Sequence, residues 1–197
     1  QIIDDPNDPG DDGEADVYAP FTATDGGGYL LAGETASSGA GERDCFLVKT
    51  DGSGVESWSR TFGGPESDVG HSVVATDDGA FLVTGYTTSL AAEQDDPYLI
   101  KLDAAGNTVW ARVLAMDGVN HTITGDQATD GGFFLVGFSE FPQRGANAAL
   151  LVKTDALNNI FELVDSNNVG RAPEQIMITV PELPLDVVVP ETLVDET

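Results

Sequence analysis

The fold is decided by a nine-residue segment, Asp77-Asp78-Gly79-Ala80-Phe81-Leu82-Val83-Thr84-Gly85, that occurs three times in the chain. Its counterparts are Asp25-Gly26-Gly27-Gly28-Tyr29-Leu30-Leu31-Ala32-Gly33 and Thr129-Asp130-Gly131-Gly132-Phe133-Phe134-Leu135-Val136-Gly137, at successive displacements of 52 residues. A second block keeps this displacement, since Phe46-Leu47-Val48-Lys49-Thr50-Asp51 is matched by residues 98–103 and 150–155. The chain is therefore built from three repeat units.

Each unit contains four apolar runs of strand length separated by turn signals. In the second unit the runs cover residues 71–75, 81–86, 98–102 and 108–114. The dense Gly and Asp-Gly turns leave no 3.6-residue helical period. Four strands in a unit of about 50 residues are typical of a β-propeller blade. The sequence predicts an all-β protein of three four-stranded antiparallel propeller-type blades, incomplete as a closed ring in one chain. A β-sandwich is the alternative.

Apolar positions in the repeated strands predict the cores of the blades. These positions are Leu30, Leu31, Leu47, Leu82, Val83, Leu99, Phe134, Leu135 and Leu151. Because propellers usually have about four to eight blades, three blades leave two open apolar faces. We expect a second copy, the rest of a larger propeller or the tails of the chain to cover them.

The end of each of the first two units carries a resemblance to known proteins. Residues 54–60 and 106–112 both follow the pattern Gly-x-x-x-Trp-x-Arg, with Trp58 and Trp110 at its centre. Over about residues 17–165 the chain resembles secreted β-propeller repeat proteins of archaea and bacteria. It is also similar to the tryptophan-docked blades of quinoprotein-like propellers. The resemblance implies the fold only, because the Asp-to-Gly spacing is shorter and the third unit lacks the Trp, so quinone binding is not implied.

The chain is strongly acidic, with 34 Asp and Glu against 8 Lys and Arg and a net charge of −26. Nucleic acids and anionic membranes need basic clusters, so the composition argues against both partners. The apolar runs are also much shorter than the roughly 20 residues of a membrane-spanning helix. Acidic residues are spread along every segment and lysines are very few. In this composition the chain resembles proteins of halophilic archaea. We expect an extracellular or surface-associated protein of such an organism or its virus, and an ordinary acidic extracellular protein is the alternative.

The sequence presents no catalytic constellation. Cys45 is the only cysteine and lies in an apolar run, which predicts a buried small hydrophobe rather than a reactive thiol. His71 and His121 begin predicted strands without a second His or Cys at metal-ligand spacing. The turn at Ser53 lacks the base that a nucleophilic serine needs. The sequence predicts no enzyme and no cofactor.

Three lysines, the only ones in the chain, occupy the same position of the repeat: Lys49, Lys101 and Lys153. We expect each to pair with a carboxylate of the repeat. The first candidates lie two residues later, at Asp51, Asp103 and Asp155. The alternative is a ring of cations at the propeller axis for an anionic ligand, which the negative field of the chain would oppose.

Aromatic residues recur at fixed positions of the units. We expect these rings to pack between neighbouring blades, and the alternative is a set of rings that stack on sugars. The residues are Trp58, Trp110, Tyr29, Phe81 and Phe133.

The ends of the chain lie outside the repeat. Residues 1–16 predict an acidic linker or arm, residues 17–68, 69–120 and 121–165 are the three blades, and residues 166–197 predict an extended β tail. Counting ligand positions from Asp5 suggests a weak calcium loop in the arm. Its oxygen donors are Asp5, Asn7, Asp11 and Asp16.

Together these features favour a non-enzymatic structural or interaction module on an extracellular surface. We expect other protein subunits, such as copies of the chain itself, as partners, and residues 175–197 as part of the contact. A ligand-binding or hydrolytic propeller, for example one directed at glycans, is the alternative.

Overall fold

The computed structural model describes residues 21–36, 38–89, 95–114, 119–141, 146–155 and 160–165. These residues form twelve strands and no helix, so the predicted all-β class is confirmed. The strands are β1 (Phe21–Ala23), β2 (Tyr29–Thr35), β3 (Asp44–Thr50), β4 (Glu56–Phe62), β5 (Asp68–Ala75), β6 (Phe81–Thr87), β7 (Asp96–Leu102), β8 (Thr108–Val113), β9 (Val119–Gln127), β10 (Phe133–Phe141), β11 (Ala146–Thr154) and β12 (Ile160–Asp165). Within the described ranges no helix could cross a membrane. The predicted arm at residues 1–16, with its calcium loop, and the tail at residues 166–197 lie outside these ranges.

The strands form three antiparallel sheets, one for each repeat unit. Sheet 1 has the order β1-β2-β3-β4, sheet 2 the order β5-β6-β7-β8 and sheet 3 the order β9-β10-β11-β12. The register repeats as well, because a glycine of the second strand pairs with an apolar residue of the third: Gly33 with Phe46, Gly85 with Tyr98 and Gly137 with Leu150. The described strands close no barrel.

An aspartate organises the turn between the last two strands of a unit. In sheet 2, Asp103 Oδ1 accepts hydrogen bonds from the backbone N–H groups of Ala105 (2.9 Å) and Asn107 (2.8 Å). Gly106 has a φ of +81°, a conformation that residues with a Cβ rarely adopt. Asp51 accepts equivalent bonds in sheet 1. The repeated Asp thus ends one strand and starts the hairpin that leads to the next.

Two apolar clusters hold the three sheets together. The first contains Leu30, Ala32, Cys45, Leu47 and Phe62 of sheet 1 and Val73, Phe81, Val83, Tyr98, Ile100, Leu102 and Val113 of sheet 2. The second contains Leu82, Leu99 and Leu114 of sheet 2 and Phe133, Leu135, Leu150 and Val152 of sheet 3. Burial of each large apolar side chain stabilises the fold by roughly 1.5–3 kcal/mol. Sheet 2 contributes to both clusters and is therefore the centre of the core.

We call the face that a sheet turns toward the next sheet in chain order its forward face, and the opposite face its backward face.

The predicted core is confirmed at six positions: Leu30, Leu47, Leu82, Val83, Leu99 and Leu135 are buried. The prediction is wrong at Phe134 and Leu151, which are exposed, and Leu31 is half-buried. Phe134 and Leu151 lie on the forward face of sheet 3, where no further sheet follows among the described residues.

Candidate functional site

Five side chains from sheets 2 and 3 meet in a half-buried group that we call the histidine cluster: His71, Tyr86, Asp95, His121 and Phe138. His71 and Tyr86 come from the first two strands of sheet 2, and His121 and Phe138 from the first two strands of sheet 3. Asp95 lies directly before β7. The cluster joins the only two histidines of the chain.

A β-bulge places His71 in the cluster. The register of β5 and β6 shifts between Gly70 and Ser72, which leaves His71 as the extra residue. A Cβ on Gly85, on the facing strand, would overlap a carbonyl oxygen of β5, so glycine is required there. Sheet 3 shifts register at the equivalent place, where the extra residue is Ile123. The bulge therefore belongs to the repeat, whereas the histidine belongs to sheet 2 alone.

The rings of the cluster pack closely. His121 stacks on Tyr86, with 4.0 Å between ring centroids and an interplanar angle of 6°. His121 also lies 4.8 Å from the Phe138 ring and 6.0 Å from the His71 ring, centroid to centroid. His71 is 5.4 Å from Tyr86. These contacts fix the two imidazoles relative to each other.

Hydrogen bonds orient both imidazoles. His121 Nε2 lies 2.6 Å from Asp95 Oδ2, an arrangement that favours an N–H on Nε2. His71 Nδ1 donates to the Thr122 carbonyl oxygen at 2.8 Å, which leaves Nε2 of a neutral His71 with its lone pair. Burial lowers the pKa of His71, the hydrogen bond to Thr122 opposes that shift, and the nearby His121 adds to it. His71 is therefore a neutral imidazole at pH 7.

The cluster offers a hydrogen-bond acceptor, a polarised imidazole and aromatic surface, the groups that bind a small polar ligand. Within the described ranges no group of three or more His, Cys, Asp or Glu side chains is placed to hold a metal ion. Cys45, the thiol of the chain, is buried in the first apolar cluster, and burial raises its pKa to about 12. Its predicted role as a small hydrophobe is confirmed.

Two of the three repeated lysines pair with carboxylates, but not with the ones expected first. Lys101 Nζ donates to Asp78 Oδ1 at 2.9 Å and to Thr76 Oγ1 at 2.5 Å. Lys153 Nζ donates to both oxygens of Asp130, at 2.9 and 2.8 Å. The expected partner of Lys101, Asp103, instead accepts the N–H groups of its own turn.

The antiparallel register explains this correction. Leu82 pairs with Lys101 at the start of β6, so the ammonium group reaches the turn between β5 and β6, where Asp78 lies. In sheet 1 the residue at the equivalent place is Gly26, and the described residues form no ion pair with Lys49. Two of the three cations are thus neutralised locally, which weakens the alternative of a cationic ring.

The two tryptophans pack between neighbouring sheets. Trp58 and Trp110 are half-buried against the first and second apolar clusters. Arg60 lies over the Trp58 ring, 5.6 Å from its centroid, and donates to the carbonyl oxygen of Ala105 at 3.1 Å. A Cβ on Gly106 would come within 2.8 Å of the Trp58 ring. The turn of sheet 2 therefore docks on the tryptophan of sheet 1, as expected for packing between units.

Two buried carboxylates, Asp44 and Asp68, form a second polar group that the sequence analysis missed. They begin β3 and β5, and the Asp68 N–H donates to the Arg43 carbonyl oxygen at 2.7 Å, which holds the two strand starts together. Burial raises the pKa of Asp44, the N–H of Gly41 opposes the shift, and the charge of Asp68 adds to it. A search for the 52-residue period finds Asp44, which Asp96 matches, but passes over Asp68, whose place in the next unit is taken by Asn120.

No protein-family model and no curated protein matches the sequence. The function is therefore inferred from the geometry of the described residues.

Proposed function

We propose that the chain is a non-enzymatic structural or interaction module of propeller-type blades, and that copies of it assemble head to tail. The assembly would lie on an extracellular surface of a halophile, such as a cell envelope, an appendage or a virus particle. The observation that carries this proposal is the exposure of the forward face of sheet 3.

Equivalent positions, 52 residues apart, are buried on the forward face of sheet 2 and exposed on the forward face of sheet 3. In sheet 2, Leu82, Thr84 and Leu99 are 0%, 1% and 2% exposed. Their counterparts in sheet 3, Phe134, Val136 and Leu151, are 43%, 45% and 36% exposed. Neighbouring apolar side chains left open on one face are typical of an interaction surface.

The repeat itself supplies a fitting partner for this face. Sheets 2 and 3 pack against the preceding sheet through Phe81 and Phe133, and Tyr29 occupies the same position on the backward face of sheet 1. Tyr29 is exposed and Phe46, on the same face, is half-buried. A second copy can therefore present its sheet 1 to sheet 3 of the first, and the contact repeats one that the chain already makes twice.

The propeller-type arrangement is supported by how the sheets meet. Consecutive sheets pack face to face through the two apolar clusters, and the first strands β1, β5 and β9 are neighbours in space. Three such units fall short of the roughly four to eight blades of a propeller. Two copies joined head to tail would supply six.

The proposal is tested by the mass of the full chain in about 2 M NaCl, where charge repulsion is screened. We expect wild type to form dimers by sedimentation equilibrium, and Val136→Glu to be a monomer with unchanged secondary structure. Val109→Glu is the matched control, because Val109 is exposed on β8 of sheet 2. The two faces of sheet 2 already meet sheets 1 and 3 within the chain, so this variant should still dimerise.

Two results would contradict head-to-tail assembly through the sheet faces. One is a wild-type chain that stays monomeric at about 100 µM, well above a dissociation constant of about 1 µM. The other is a Val136→Glu dimer as strong as wild type. A third variant is truncated after Glu174. If it is monomeric while Val136→Glu stays dimeric, the contact belongs to the tail instead.

The halophile part of the proposal rests on the net charge of −26. Lowering NaCl from about 2 M to about 0.1 M extends the Debye length to about 10 Å and lets the carboxylates repel one another. We expect the Tm to fall steeply over this range. A Tm that does not change with salt would argue against the halophile origin.

A ligand-binding propeller is the second candidate, favoured by a cleft of about 520 Å³ lined by all three sheets. Its lining includes Thr22, Val74, Thr124, Asp126 and Phe134. Polar and aromatic groups from several units suit a glycan. Glycan-array binding that is lost in Asp126→Ala, with an unchanged Tm, would favour this candidate over the first.

A further inference from the structure

Asp44 and Asp68 lie side by side where sheets 1 and 2 meet, and both are almost completely buried. Asp44 is 1% exposed and Asp68 is 0% exposed. Asp44 Oδ2 accepts the N–H of Gly41 at 3.2 Å. Asp68 Oδ2 accepts the N–H of Gly64 at 2.8 Å and the hydroxyl of Ser89 at 2.5 Å.

The second oxygen of each carboxylate has no hydrogen-bond partner among the residues that the structure describes. These two buried oxygens are Asp44 Oδ1 and Asp68 Oδ1. A buried oxygen left in this way loses its hydration without compensation. Unpaired oxygens on two adjacent carboxylates therefore indicate a missing positive group.

Gly63 shows that the two carboxylates point into the same space. A Cβ built on Gly63 would overlap Asp44 Oδ1 and would lie 2.8 Å from Asp68 Oδ2. Glycine at position 63 thus makes room for the Asp44 carboxylate beside that of Asp68. Any larger residue there would displace Asp44 Oδ1.

No cationic side chain of the described part of the chain neutralises this pair. The neighbouring Arg43 forms its ion pair with Glu34, at 2.5 Å, and the described lysines in ion pairs bind Asp78 and Asp130. Two ionised carboxylates in a buried site repel each other strongly. Their burial requires a proton or a bound cation.

The equivalent place between sheets 2 and 3 carries one acid fewer. Asp96 occupies the position of Asp44, but Asn120 occupies that of Asp68. Asn120 is also buried, and its Oδ1 accepts a hydrogen bond from the hydroxyl of Ser139. The repeat therefore accepts a neutral amide at this position, and the second acid is a feature of the first junction.

We propose that Asp44 and Asp68 bind a divalent, oxygen-seeking cation of the Ca²⁺ class at the junction of sheets 1 and 2. Carboxylate oxygens are the preferred ligands of such ions, and water completes the coordination shell. Two carboxylates balance the charge of one divalent ion. The ion would tie the start of β3 to the start of β5 and so add to the backbone hydrogen bond between Asp68 and Arg43 at this junction.

The test uses the full chain in about 2 M NaCl, first with EDTA and then with about 5 mM Ca²⁺. We expect Ca²⁺ to raise the Tm of wild type by about 4 °C or more. Asp68→Asn, which copies the second junction, should fold and lose this rise. Equilibrium dialysis should find one Ca²⁺ more per chain in wild type than in Asp68→Asn.

Asp77→Asn is the matched control, because it removes the same formal charge from an exposed carboxylate. Its Tm rise and its calcium stoichiometry should equal those of wild type. Equal Tm rises in wild type and Asp68→Asn would overturn the proposal, because the calcium would then bind elsewhere. The proposal would also be overturned if Asp68→Asn is more stable than wild type in EDTA and Ca²⁺ does not change the Tm of wild type. That result would show that the two carboxylates share a proton instead.

Discussion

Sheets 2 and 3 share the same strand order and register, yet their forward faces differ completely in burial. The forward face of sheet 2 is covered by Phe133 and Leu135 of sheet 3. The forward face of sheet 3 has the same apolar character and is exposed at Phe134 and Val136. The difference teaches that burial in this repeat is a property of the neighbouring sheet and not of the strand itself.

The largest expected effect comes from truncating the same leucine in the two sheets. Leu99→Ala should lower the free energy of unfolding by about 2–5 kcal/mol, because it leaves a cavity in the second apolar cluster. Leu151→Ala should cost less than about 1 kcal/mol in the monomer, because this side chain is already in contact with water. Urea unfolding of both variants at low protein concentration measures the difference.

Leu99→Ala and Leu151→Ala could lose equal amounts of unfolding free energy at low protein concentration. That result would mean that another part of the same chain covers the forward face of sheet 3. A cost of Leu151→Ala that grows with protein concentration would instead fit the second copy proposed above.

The bulge residues of the two sheets give a smaller, pH-dependent effect. Burial lowers the pKa of His71 below its ordinary value of 6.5, so the unfolded chain takes up the proton first. The stabilising effect of neutral His71 is present above pH 6.5 and is lost as the pH falls through that value toward the folded pKa. His71→Gln should therefore show a flatter dependence of the urea midpoint on pH between about 8 and 5.

Ile123→His is the control for this prediction, because the counterpart in sheet 3 is exposed. The pH dependence of its urea midpoint should match that of wild type, since folding changes the pKa of an exposed imidazole little. An unchanged profile in His71→Gln would show that another group titrates in this range.

The smallest expected effect concerns the turn carboxylates of sheets 2 and 3. The hydrogen bond from Thr76 and the charge of Lys101 lower the pKa of Asp78 from 3.8 to about 2, although partial burial opposes the shift. Its contribution is present above pH 3.8 and is lost as the pH falls through about 2. Asp78→Asn should cost less than about 1 kcal/mol at pH 7, because the carboxylate is largely exposed.

Asp130→Asn sharpens this comparison. The hydrogen bond from Lys153 lowers the pKa of Asp130, but the residue in the place of Thr76 is Ala128, which has no hydroxyl. Acid unfolding of the two variants should therefore show the larger change for Asp78→Asn. The reverse order would mean that the contact of Lys153 with both oxygens of Asp130 outweighs the hydrogen bond from Thr76 to Asp78.

Much of the fold follows from the 52-residue period of the sequence. The run at residues 81–86 and the observed strand Phe81–Thr87 nearly coincide, because short apolar runs and the Asp-Gly turns that bound them are local signals. The exposure of Phe134 could not be predicted from its unit, because exposure depends on whether another sheet follows. The partner of Lys101 was missed because a long side chain reaches across a hairpin as easily as along a strand.

The polar groups were much less predictable than the strands. His71 and His121 are 50 residues apart, and the contact of their rings needs both the bulge in β5 and the packing of β5 beside β9. Asp44 and Asp68 meet because two strand starts are held together by a backbone hydrogen bond. Residues one period apart lie in adjacent sheets, so a search for chemical groups near that spacing is the signal that would have found the histidines.

The central place of sheet 2 also sets the order in which the molecule opens. Sheets 1 and 3 each have one neighbour in the described chain, so either can detach while sheet 2 keeps one of its two apolar clusters. Local opening then spreads inward from both ends, as in a linear array of coupled units. The backbone amides of β6 and β7 are expected to exchange their hydrogens last, and faster exchange there than in β2 would exclude this order of unfolding.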